Sequence, residues 1–90
     1  MPEFLVELYV ARSNGRAIAR CTARAHAAAE ALSRSGTRVR YVSSIFVPED
    51  ETCFLLYEAE SAEAVRAAAG RARIPFDRVA RAHASGAVKD

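Results

Sequence analysis

Across 90 residues the chain has no tryptophan, one methionine, one lysine (Lys89) and two cysteines. Cys21 and Cys53 are too far apart for a CxxC pair and too few for a disulfide framework. No run of 18 apolar residues occurs, which excludes a membrane-spanning helix. Neither a P-loop nor a GxSxG or HExxH motif is present. The net charge of +2 is too small to argue for nucleic acid. The stacking aromatics of RNA-recognition domains are missing too, since Phe54 and Tyr57 fall on opposite faces of one strand. Met1-Pro2-Glu3 has no basic n-region and runs straight into an alternating segment, so the expectation is a reducing cytoplasmic setting with two free thiols.

What is present suffices for one domain with a modest core. Twelve arginines and twenty alanines point to codon supply in a GC-rich genome and not to a function. Phe4 to Val10 alternates with period two and reads as a strand, with Phe4, Val6, Leu8 and Val10 on one side. Ser13 or Asn14 is placed to cap a helix over residues 16–35, whose apolar stripe is Ile18, Cys21, Ala25, Ala28 and Leu32. Gly36 is placed to end it in the left-handed conformation. Residues 39–46 and 52–58 form a hairpin across the turn Val47-Pro48-Glu49-Asp50-Glu51. Ser61 caps a second helix over residues 62–72, with Ala62, Val65, Ala69 and Ala72 inward. Residues 77–82 give a last strand.

Strand, helix, hairpin, helix, strand leaves few compact solutions. The expectation is an α+β domain of the ferredoxin-like βαββαβ plan, a four-stranded antiparallel sheet with both helices on one face. The domain spans residues 1–84, and residues 85–90 form a loose tail.

Charges assign the other sheet face. Glu7, Arg38, Arg40 and Glu58 belong outside, and alternation carries Leu5, Tyr9, Val42, Ser44, Phe54 and Leu56 with them. That face is too apolar to be left to water, so a sheet-to-sheet homodimer is expected. A pocket between the sheets, lined by Glu7, Tyr9, Arg40 and Glu58, is the functional extension; cross-strand charge pairs at a dimer rim are the plainer reading.

His26 and Glu30 stand at i and i+4, where one helix face can offer two donors to a metal. His83, after the last strand, is a further candidate ligand. The ordinary alternatives are a surface His–Glu pair and a tail residue without a role. Cys21 and Cys53 read as small core hydrophobes. The Glu49-Asp50-Glu51 turn lacks calcium-loop spacing; Arg16, Arg20 and Arg24 could touch phosphates, and a solvated helix face is the plainer reading.

Three stretches look familiar together: Pro2-Glu3-Phe4-Leu5-Val6-Glu7, then Val39-Arg40-Tyr41-Val42 with residues 44–54, then Pro75-Phe76-Asp77-Arg78-Val79. They resemble a largely uncharacterised family of small bacterial proteins, common in actinobacteria, with a nickel-binding, nickel-responsive member. The resemblance implies a ferredoxin-like homodimer and nickel(II) as the bound metal. It carries over no ligand. Nickel accepts imidazole, thiolate and carboxylate donors, and a dimer would pool four histidines with Glu7 and Glu58. Two function classes follow: a homodimeric metal-binding protein, acting as buffer or sensor with His26, Glu30 and His83 as ligands, or a cofactor-free dimeric α/β-barrel enzyme acting on a small organic molecule. An interaction module with no small ligand is a third reading.

Overall fold

A computed structural model describes residues 1–83 of the chain. Residue 84 and the tail expected over 85–90 lie outside the described residues. The elements are β1 (Glu3–Tyr9), α1 (Ala17–Arg34), β2 (Val39–Val47), β3 (Thr52–Ala59), α2 (Ala62–Arg71) and β4 (Arg78–Ala82). The strands form one antiparallel sheet in the order β2-β3-β1-β4. This is the ferredoxin-like arrangement, with β2 and β4 as its two edges.

Alternation decides which side the helices cover. Phe4, Val6 and Leu8 of β1 are buried, as are Cys53, Leu55, Tyr57 and Ala59 of β3. Val65, Ala68 and Ala69 of α2 and Ala25, Ala28 and Ala29 of α1 close over them. Alanine on both helices lets their backbones sit close to the sheet. Bulk then comes from the strands, where Leu55, Val6 and Tyr57 are fully buried. Each such side chain contributes roughly 1.5–3 kcal/mol of burial. α1 packs mainly along β2, while α2 spreads over β1, β3 and β4.

Two sequence expectations change. Ser13 and Asn14 do not cap α1. Residues 12–14 form a short 3-10 turn, and α1 starts after Arg16 without a side-chain cap. The cause is the hairpin tip. Val10 N–H donates to Glu51 O at 3.0 Å, and Arg12 N–H donates to the Glu51 carboxylate at 2.9 Å. That clamp ties the segment down before it reaches the helix. Ser61, in contrast, caps α2 as expected, accepting from Ala64 N–H at 3.2 Å.

The second change lies in β2. Its register against β3 slips between Tyr41 and Ser43, a β-bulge that places Val42 as the extra residue. Because the side-chain period is two, one extra residue inverts every later position. Ser44, expected on the open face, instead lies opposite Leu55 on the helix side and shares a hydrogen bond with Thr22 of α1 at 2.8 Å. The Tyr41 hydroxyl joins the same pair. Ile45 moves the other way, opposite Phe54, and is 53% exposed.

Both helices end in the same hydrogen-bonded motif. In α1, Thr37 N–H reaches Leu32 O and Gly36 N–H reaches Ser33 O; in α2, Ile74 N–H reaches Ala69 O and Arg73 N–H reaches Gly70 O. This is the Schellman arrangement, whose penultimate donor takes a left-handed backbone. Gly36 does so at φ 104° and Arg73 at φ 58°.

Candidate functional site: the open sheet face and the His26 cleft

The uncovered face can be read row by row from the register. Arg40 lies opposite Glu58 and Ser43 opposite Leu56, while Ile45 lies opposite Phe54. Across the next ladder Leu56 lies opposite Leu5 and Phe54 opposite Glu7. Leu5 then meets Ala80, and Glu7 meets Arg78. The result is an apolar centre of Leu5, Leu56, Phe54 and Ile45, with Val42 and Tyr9 exposed beside it.

Two ion pairs bracket that centre at opposite corners. Arg40 donates through Nη2 and Nε to one Glu58 oxygen, at 2.8 and 3.2 Å. Arg78 donates through Nε to Glu7 at 2.8 Å. Both arginines are largely exposed and both glutamates about two-thirds covered. As surface pairs in water each is worth little to stability. Their effect on the face is to leave Glu7 and Glu58 paired at its corners and its centre apolar.

His26 and Glu30 sit one helical turn apart on α1, with Nε2 and a carboxylate oxygen 3.5 Å apart, and both side chains are mostly exposed. The imidazole edge faces the Tyr41 ring at 6.3 Å between centroids. The pair borders a cleft of about 400 Å³ between α1 and the edge strand β2, which Met1, Arg38 and Arg40 also line. Ser33 closes its floor by donating to Val39 O at 3.2 Å. The helix spacing that suggested two donors therefore delivers two donors to one wall of a cleft.

The third candidate, His83, does not join them. It follows β4, on the sheet edge away from β2. Three strand spacings, roughly 14 Å, separate those edges. Among the described residues no three His, Cys, Asp or Glu side chains come together as a metal site.

The cysteines add no donor. Burial pushes the Cys53 thiol up to about 11, and Cys21 nearby adds to the rise. Burial raises Cys21 as well, with Arg24 opposing. Neither forms a disulfide, and both are core residues that remain protonated at neutral pH. Tyr57 has a buried hydroxyl with no hydrogen-bond partner, and burial, with Cys21 and Tyr41 nearby, raises its pKa strongly.

Sequence reasoning missed Ile45 as a member of the open face, and with it the Thr22–Ser44–Tyr41 hydroxyl cluster. The only trace of the bulge in the sequence is the polar pair Ser43-Ser44, where alternation can hold for one of the two but not both. Among the described residues no helix is long and apolar enough to cross a membrane.

No curated protein sequence matches the chain. Among solved structures, it is similar to SCO4226 from Streptomyces coelicolor A3(2), at 22% identity and a TM-score of 0.69 over 93% of this chain and 99% of that one. That likeness supports the fold. Residues 9–81 match the sequence profile described as nickel responsive protein SCO4226-like. The match runs from the end of β1 into β4, so the chain belongs to the SCO4226-like family of nickel-responsive proteins.

Proposed function

We propose that this chain is a small homodimeric nickel-binding protein that buffers or senses the metal, with His26 and Glu30 as half of the coordination set. The observation that carries the reading is the family match over residues 9–81. The paired imidazole and carboxylate on one wall of a cleft give it a location. These two donors fit nickel(II) in kind, and fall short of it in number. Bound there, the ion would supply a ligand-linked change in assembly or stability, because binding to the folded state alone stabilises it by mass action.

A second copy supplies the missing donors in this reading. The apolar open face is where that copy docks. A twofold axis running along the strands sets the β4 edge of one copy over the β2 edge of the other, at the same end of the sheet. Ala82 and Arg40 already share that end, in one row through Glu3 and Glu58. His83, next after Ala82, then approaches the cleft that holds His26 and Glu30. The remaining open-face residues are the interface.

Calorimetric titration of metal-stripped protein without a histidine tag tests this. Nickel chloride is expected to give a saturable heat in the micromolar range. His26→Ala is expected to weaken it at least tenfold, and His83→Ala by a comparable amount only in the dimer. Affinity should fall on acidification, since protons compete for imidazole. No binding heat, or equal heats in all three proteins, would refute the assignment.

A further inference from the structure

The groove between the two helices is the feature this function does not use. It has a volume of about 400 Å³, a floor of Ala27, Ala28 and Ala31, and walls carrying Arg24, Arg71 and Arg73. We propose that this groove is a binding site for a phosphate group, either of a soluble phosphate ester or of a phospholipid headgroup.

Three observations support it. First, Arg24, Arg71 and Arg73 border one groove, and among the described residues none of them forms an ion pair with a carboxylate, a condition they share with most arginines of the chain. Like charges brought to one surface repel, and an anion bound among them would relieve that. Secondly, Arg24 is oriented. Its Nε–H donates to Ala72 O at the end of α2 at 2.9 Å, which leaves the Nη edge to meet a ligand. It also neutralises the carbonyl end of α2, which would otherwise repel an anion.

Thirdly, Arg73 stands where a glycine belongs. The two helices end in the same Schellman motif, and α1 fills the left-handed position with Gly36. In α2 that position holds an arginine at φ 58°, against the steric preference of any residue with a Cβ. A guanidinium thus occupies a position whose backbone favours glycine, on the same groove as Arg24 and Arg71.

The chemistry of the groove selects among anions. Guanidinium forks match phosphate oxygens two at a time, and three forks exceed what one carboxylate can accept. The floor is alanine, with no aromatic ring on which a base could stack, which disfavours single-stranded nucleic acid. Alanine also leaves room for the small apolar body of a phosphate ester.

The test follows amide resonances of the full chain at fixed ionic strength while inorganic phosphate, then pyrophosphate, is added. Saturable shifts confined to residues 24–31 and 70–74 are expected, with pyrophosphate the tighter of the two. Binding should weaken on acidification, as the phosphate dianion takes up a proton. Arg73→Gly should raise the melting temperature by about 4–8 °C while weakening binding about tenfold. A role in stability alone would move the two together. Arg71→Gln should weaken binding similarly with the melting temperature unchanged.

Co-sedimentation with phosphatidylcholine vesicles containing phosphatidic acid separates the two sources. Binding to vesicles without pyrophosphate shifts assigns a lipid headgroup, and the converse assigns a soluble ester. Binding to neither, shifts centred on the His26 cleft, or an undiminished affinity in Arg73→Gly would overturn the proposal.

Discussion

The two faces of this sheet are built from the same strands and differ in almost every other respect. The covered face is closed by alanine helices, buries no charged side chain, and buries Val6, Leu55 and Tyr57 completely; Arg81, opposite Phe4 on the β4 edge, lies on that side but stays exposed. The open face is nearly as apolar at its centre, yet leaves Ile45 and Tyr9 more than half exposed and carries both cross-strand ion pairs. The contrast teaches that alternation sorts side chains between faces and does not by itself decide which face stays dry. Helices settle that for one side. On the other, in our reading, a second copy does so.

The comparison can be broken most sharply at adjacent residues of β3. Leu55→Ala removes a fully buried side chain and should cost about 2–5 kcal/mol in urea denaturation. Leu56→Ala, one residue away on the open face, should cost under about 1 kcal/mol when measured at concentrations that keep the protomer single. Equal losses would mean that the faces are not energetically distinct.

High pH should act on the covered face alone. A thiol whose folded pKa lies above its unfolded value stabilises the fold below the unfolded pKa, and that contribution is lost as pH climbs toward the folded one. With Cys53 pushed up to about 11, stability should fall between pH 9 and 11. That one group accounts for about 2 kcal/mol of the loss. Cys53→Ala should remove that part of the slope. Cys21 and Tyr57 add to it in the same direction.

Tyr57→Phe sharpens the picture further. Its hydroxyl is buried and unpartnered, so deletion should be neutral or raise stability by about 1 kcal/mol, and it should flatten the alkaline slope as well. The smallest expected effect belongs to the open-face ion pairs. Arg78→Ala should change protomer stability by no more than about 0.5 kcal/mol, because the guanidinium is mostly in water.

Much of this was legible in the sequence. Phe4 to Tyr9 and Thr52 to Glu58 alternate cleanly, so β1, β3 and the faces of both followed directly. The stripes of α1 and α2 and the Ser61 cap were equally plain, because each depends on spacing within a few residues. β2 resisted because a bulge is a relation between two strands. Its sequence only permits the slip, and pairing with β3 enforces it. The cap of α1 failed for a similar reason, since Glu51, far along the chain, captures Arg12 first.

The candidate site divides the same way. His26 and Glu30 meet because helix geometry brings i and i+4 together. Whether His83 can join them depends on strand order and on a partner, neither of which periodicity encodes. Arg24 on Ala72 is another long-range contact; the sequence alone offers Arg24 as part of a solvated or phosphate-touching stripe and does not give its partner.

The most direct measurement is sedimentation equilibrium of the tag-free chain at micromolar concentration, with and without nickel, beside Leu56→Arg. Our account predicts a wild-type mass near twice 9.8 kDa and a folded single protomer for the variant. A wild-type chain that sediments as a stable single protomer under both conditions would contradict it.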